Sequence, residues 1–226
     1  MDWSPLFLSI RVAVSATVLV FLLAVPVAWW VHSRSRVPVL WDSLFSIPMV
    51  LPPTVVGFLL LISFGNYSPI GRFLRTIGIP LVFTWYGAVV ASSIVAFPLF
   101  YRTVRTALQQ VNYATLACAK TLGISNQRIF FQLLLPEISP ALFSGMVLSF
   151  CRALGEFGAT SLLAGNIPKV TQTMSLAIYT AVNTNDLTSA YLWSGFLIAF
   201  SFALMGMSEW MLRKYRKREQ RRYEVF

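Results

Sequence analysis

Four windows of the chain run for the thickness of a membrane without one charged side chain: Val12 to Val31, Leu44 to Phe64, Leu81 to Tyr101 and Leu187 to Ser208. A hydrocarbon core of about 30 Å, crossed at about 1.5 Å per helical residue, needs about 20 apolar residues. Each window therefore predicts a transmembrane helix. A further stretch, Ile138 to Leu163, has the length of a span but holds Arg152 and Glu156, and it predicts a fifth crossing with a polar interior. The fold class is all-α: a polytopic membrane protein of about five helices, read as a single domain over residues 1–226.

Prolines interrupt these windows. Pro26 lies in the first, Pro48 and the adjacent Pro52 and Pro53 in the second, and Pro98 in the third. Each removes a backbone donor and bends its helix, which lipid tolerates only where neighbours or a water-filled cavity satisfy the freed carbonyls. Packing kinks are one reading. For Pro52 and Pro53 a broken helix beside a transport pathway is favoured, because two adjacent prolines at bilayer depth are hard to accommodate against lipid alone.

Between the third window and Ile138 the segment 112–136 is too polar to span and too patterned to be a linker. Tyr113 to Leu122 is Ala-rich and predicts a helix, with Gly123 as its stop. Ile124, Ser125 and Asn126 then turn the chain into a second amphipathic stretch, Gln127 to Leu135, closed by Pro136. The prediction is a short helical hairpin at the membrane surface. Ala114, Ala117, Cys118 and Ala119 give its first arm a low relief that a partner groove can approach. An interfacial helix resting on headgroups is the alternative. Farther on, Val170 to Val182 shows one apolar helical face and predicts a short helix on the opposite side.

Composition agrees with a membrane solvent: of 226 residues 57% are hydrophobic and 12% charged, which excludes a soluble enzyme. The net charge of +10 changes the picture only through its placement. Alternating the five spans puts Arg34, Arg36, Arg102, Arg105, Lys120, Arg128 and the seven Lys and Arg of the tail 210–226 on one side, against Arg72, Arg75 and Lys169 on the other. The positive-inside rule makes the basic side cytoplasmic and places the N-terminus outside. Asp2 stands where a secretory signal would carry basic residues, so the first window is expected to stay as a helix. No nucleic-acid-binding pattern accompanies the basic residues. Cys118 and Cys151 support neither a disulfide framework nor a zinc site.

The segment Ala117-Cys118-Ala119-Lys120-Thr121-Leu122-Gly123, with Leu135-Pro136 following, resembles the E-A-A-x-x-x-G…L-P loop of ABC importer permeases. The resemblance implies that Ala117, Cys118, Ala119, Gly123, Leu135 and Pro136 belong to a coupling helix that docks into a cytoplasmic ATPase subunit. The family's Glu is Ala117 here and its first Ala is Cys118, so any polar contact made by that Glu is absent or replaced. Pro48 to Gly57, Arg152 to Thr160 and Ala164 to Pro168 resemble the molybdate permease branch over nearly the full length. Sulfate permeases are similar in the same places but usually carry Gly-Glu-Tyr-Gly where this chain has Gly155-Glu156-Phe157-Gly158. Molybdate is thus the implied cargo, with tungstate and sulfate as alternatives. The implied partners are a second copy of the chain, ATP-binding cassette subunits, an extracytoplasmic oxyanion-binding protein and membrane lipid.

The candidate pathway residues are Pro52, Pro53, Arg152, Glu156 and Thr160. Arg152 and Glu156, spaced i, i+4, can neutralise each other on one helix face, either as a structural pair or as a lining beside an anion route. Arg11, near the outer end of the first window, reads as a snorkelling side chain or as part of an electropositive vestibule, and His32 as a solvated residue at the inner edge. No phosphate-binding loop, nucleophile with a base, or cofactor or metal-ligand cluster occurs, so the chain is read as a transport subunit and not an enzyme. An ion-coupled secondary transporter is the rival reading; it calls for an intramembrane titratable site and internal repeats, and neither is evident.

Overall fold

A computed structural model describes residues 2–223, and the described residues contain helices without strands. In chain order they are α1 (Ser4–Arg34), α2 (Pro38–Val50), α3 (Pro53–Phe64), α4 (Pro69–Thr76), α5 (Trp85–Gln110) and α6 (Tyr113–Thr121). There follow α7 (Asn126–Arg128), a π-helical turn (Ile129–Leu134), α8 (Leu135–Leu154), α9 (Gly158–Leu163), α10 (Met174–Asn183) and α11 (Leu187–Tyr223). The last positions of the basic tail, 224–226, lie outside the described residues. Four helical rods are long and apolar enough to cross a membrane, and α2 with α3 forms a bent fifth.

Contacts between α1 and α5 settle the path of the chain. Arg11 stacks its guanidinium 3.9 Å from the Trp85 ring centroid, Phe21 meets Phe100 farther along, and His32 approaches Arg105 near the far end. The two helices therefore run parallel, and the segment between them must return across the membrane. Only α2 and α3 can make that return, so the bent pair is a crossing and not a re-entrant loop. In α8 a Cβ on Gly145 would touch the Phe100 ring, with Thr103 beside it. The Met174 N–H donates to Ser9 Oγ at 2.7 Å, which fixes α10 at the N-terminal side. Five crossings result.

The window Leu44 to Phe64 is thus two helices bent by 105°. The physical cause is local: a residue that precedes proline is disfavoured from helical ψ, and Leu51 and Pro52 both precede one. Both are extended, with ψ of 141° and 137°. Pro53 then starts α3 at a position where its missing N–H has no consequence.

The stretch Ile138 to Leu163 is likewise not one span. Its helix starts earlier and stops at Leu154, and α9 begins only after Gly155, Glu156 and Phe157. Pro136 does not close a hairpin, because Asn126 to Leu154 is one continuous rod. A π turn accommodates the proline: the Leu135 N–H donates to the Phe130 carbonyl, five residues back, ahead of the position that lacks a donor. The expected second arm of the hairpin is therefore the foot of a transmembrane helix. Likewise α5 extends through Arg105 to Gln110, and Asp42 lies inside α2; neither is in a loop.

The main core lies where α1, α5 and α8 meet: Ala13, Ala16, Ala24 and Ala28 on α1 let it approach Ala96, Phe100 and Val104, and Leu142 closes the third side. Small residues are what permit such approach where the solvent is itself apolar. The short helix foreseen over Val170 to Val182 occurs as Met174–Asn183, whereas α4 had no counterpart in the sequence reading.

Candidate functional site

The two helix breaks are neighbours. Gly158, the first residue of α9, sits against α3 so closely that a Cβ on it would stand 3.0 Å from Pro53 Cβ. One turn up α3, a Cβ on Gly57 would come within 2.8 Å of Ala159 Cα, closer than real Cβ atoms approach backbone. These glycines are there for contact. Pro52, Pro53, Glu156 and Thr160, chosen as pathway residues from sequence, thus fall at one junction of interrupted helices.

Depth follows from helix geometry. Arg152 is seven residues beyond Gly145, roughly 10 Å at 1.5 Å per residue, which sets it level with the middle of α5. At that depth every backbone group needs a partner. The Gly155 N–H donates to the Cys151 carbonyl and the Glu156 N–H to that of Ala153. Thr160, buried, donates its hydroxyl to the Phe157 carbonyl at 3.0 Å. Its role is to close the turn, and it does not face open space.

Glu156 is 2% exposed and divides its oxygens between two donors. Oε1 accepts the Ala159 N–H at 2.9 Å, and Oε2 lies 2.7 Å from Arg152 Nη1. The pair expected from the i, i+4 spacing is therefore present, but it spans the end of α8 and not a continuous helical face. The arginine side chain keeps 35% of its surface open against 1% for the carboxylate. Glu156 anchors the turn from inside, and Arg152 turns its free edge outward. That asymmetry suits an anion-facing guanidinium held by a buried carboxylate.

A second polar cluster lies at the other end of the crossing helices, where sequence reading had identified none. Asp42 of α2 receives the Tyr101 hydroxyl at 2.5 Å on Oδ1, Arg105 Nε at 2.9 Å on the same oxygen, and Arg105 Nη2 at 2.9 Å on Oδ2. His32 is not simply solvated: its Nδ1 is 3.4 Å from Arg105 Nη1 and its ring stacks on Trp29. The carboxylate ties α2 to α5, and Arg105 carries the contact on to His32 of α1. The only advance sign was that an acid and a base fell at the edges of two apolar windows on the same side.

The cluster adjoins α6. A cavity of about 290 Å³ is lined by Trp29, His32, Leu116, Ala117, Lys120 and Asn126. Asn112 caps α6 through its side-chain oxygen, and Gly123 follows the helix with φ of +73°, the left-handed value that makes glycine a helix stop. Ala119, expected on the docking surface, is 4% exposed and packs into the core; Ala117 is half-buried. The outward residues are Ala114, Cys118, Thr121 and Leu122, the last 78% exposed. Helical phase explains the difference: Ala119 sits on the same face as Leu116, which packs on that core. Leu135 and Pro136 lie in the rod beyond the π turn and not on α6. No group of three or more His, Cys, Asp or Glu is placed to hold a metal among the described residues.

The family profile described as binding-protein-dependent transport system inner membrane component matches residues 14–217. The molybdenum transport system permease protein ModB of Escherichia coli (strain K12) is 38% identical over 228 aligned positions, 97% of each chain. The sulfate transport system permease protein CysT of Salmonella typhimurium is 36% identical over 178 residues, 78% of this chain and 64% of its own. Among solved structures, the inward-facing MetNI methionine ABC transporter matches 93% of this chain and 94% of its own with a TM-score of 0.72. At 14% identity that likeness is one of fold.

Proposed function

The chain belongs to the family of binding-protein-dependent transport system inner membrane components, the permease subunits of ABC importers, and from that premise we propose that it conducts molybdate into the cytoplasm. The observation that carries the substrate is similarity to ModB over 97% of both chains. Tungstate shares the size and charge of molybdate and is admitted with it. Sulfate is the second reading, supported by CysT, which aligns with 78% of this chain against 97% for ModB.

Two copies of the chain form the path between them in this reading. The exposed apolar flank of the bent crossing supports it, with Val50 at 83% and Phe58 at 55% exposure. Arg152 faces that path and draws the dianion in, while Glu156, Thr160, Pro52 and Pro53 hold the interruption beside it. The N-terminal side is extracytoplasmic and meets the binding protein; the basic side meets the ATPase. Impermeant thiol labelling in intact cells, with both native cysteines replaced, is expected to modify Lys169→Cys and spare Arg128→Cys. The reverse pattern inverts the orientation.

Docking to the ATPase runs through the outward face of α6 and not through Ala119. Cys118→Trp is expected to leave a folded permease that no longer co-purifies with its ATPase or supports ATP-driven molybdate uptake in proteoliposomes containing the binding protein. Ala119→Trp instead overpacks the chain's own core, at a cost of about 1–3 kcal/mol or more, and lowers the yield of folded permease. Ala117→Glu, which restores the family's carboxylate beside Lys120, retains docking. Uptake by the permease alone, without ATPase, would identify a secondary transporter; undiminished pull-down with Cys118→Trp would exclude α6 as the contact.

A further inference from the structure

A cavity distinct from both polar clusters lies on the flank of α1 toward the basic side, with Trp29 between it and His32. It measures about 500 Å³ and runs between two walls: Phe21, Leu22, Val25, Pro26, Trp29, Trp30 and Arg34 of α1, and Phe130, Phe131 and Leu135 at the foot of the opposing rod. The α1 positions follow the i, i+4 spacing of one stripe, so the groove runs along the helix and not across it. Its walls are aromatic. Trp29 and Phe130 meet at 5.1 Å, and Phe131 sets its ring edge-on to Phe130 at 5.1 Å. The π turn makes this wall by placing Phe130 inward, at 9% exposure, and Phe131 outward, at 63%.

One end of the groove is polar: Ser33, Arg34, Asn126 and Gln127 close it at the last turn of α1 and the first of α7. Among the described residues Arg34 has no carboxylate within ion-pair distance. Tryptophan and arginine together mark the depth of the headgroups, with the apolar trough leading from there toward the membrane centre. A long apolar slot with an unpaired cation at its interfacial end has the polarity of one kind of molecule.

We propose that this groove binds an anionic phospholipid, with one acyl chain lying along Phe21, Leu22 and Pro26 and the phosphate at Arg34, Asn126 and Gln127. The site joins α1 to the rod whose N-terminal end adjoins α6, so an occupying lipid bridges the two elements that flank the coupling helix. The inference needs only that the chain spans a membrane. It is independent of the transported anion and of the homodimer.

The test is native mass spectrometry of the purified permease, with its ATPase where the complex is stable, titrated with phosphatidylglycerol or with phosphatidylcholine of the same acyl chains. The wild type should retain phosphatidylglycerol at least fivefold more tightly. Arg34→Gln should weaken that lipid about fivefold, the effect of one surface cation, and phosphatidylcholine clearly less, because choline already offsets the charge of its phosphate. Leu22→Trp, at a position 60% exposed and therefore compatible with folding, should fill the trough and weaken both lipids. Glycerol 3-phosphate should not compete; displacement of the lipid by it would show a soluble-phosphate site and overturn the proposal. Equal retention of the two lipids by the wild type, or full retention of phosphatidylglycerol by Arg34→Gln, would also overturn it. So would a second polypeptide found seated on this flank and protecting Leu22→Cys from thiol reagents.

Discussion

Asp42→Ala should lower the thermal midpoint of the purified permease by roughly 5–10 °C, taking about 2–3 kcal/mol at about 2–4 °C per kcal/mol for a chain of this size. Three donors from two residues of α5 converge on this carboxylate, and Arg105, with only 8% of its side chain open, would be left charged beside His32. The full penalty of a broken buried pair is larger, but the 37% exposure of the Asp42 side chain admits water and discounts it. Replacing both partners by leucine should recover much of the loss, since no uncompensated charge then remains. Scanning calorimetry or a thiol-reactive dye in detergent reads the midpoint. An unchanged midpoint for the single variant would mean that the cluster does not hold α2 to α5.

Glu156→Ala is expected to be comparably damaging, at about 2–4 kcal/mol, by a different route. The buried Ala159 N–H loses its acceptor, which costs about 1–3 kcal/mol, and Arg152 loses its partner. Glu156→Gln keeps an oxygen for the Ala159 N–H but turns an amide NH2, itself a donor, toward Arg152, losing the charge and that hydrogen bond, so it should fall between wild type and alanine. Folded yield together with oxyanion uptake separates two roles of the pair. If glutamine folds well and transports poorly, the position of the Arg152 guanidinium is being set by Glu156; if it folds and transports as wild type, the carboxylate serves as a turn anchor alone. Wild-type stability of Glu156→Ala would remove both roles.

Much of the architecture was legible because lipid imposes a coarse code. Long uncharged windows located the crossings, and the adjacent Pro52 and Pro53 located a break, since each proline acts on the residue before it. The second break was not read, because Gly155 to Phe157 contains no proline and the apolar run continues through Leu162 and Leu163. Its signal was weaker: two glycines flanking an ionised side chain, which lower helix propensity without forbidding a helix. Pro136 misled in the other direction, since a proline near a helix start can be absorbed by a π turn. The Asp42–Arg105 cluster joins residues 63 positions apart, and no local pattern carries such a pairing. The facing of Ala119 depends on which side of α6 meets the core, and an Ala-rich segment has too little amphipathic contrast to say.

The tight contact of α3 with α9 has a mechanical consequence. With Gly57 so close to Ala159 that even a methyl group would collide, and Gly158 nested on Pro53, the two short helices have no slack between them. Each is joined to a long helix by a few non-helical residues, Leu51 and Pro52 on one side and Gly155 to Phe157 on the other. Rotation at one joint is therefore geared to rotation at the other. The two short helices therefore form one unit resting on Ala91 and Val95 of α5, the same helix to which Asp42 ties α2.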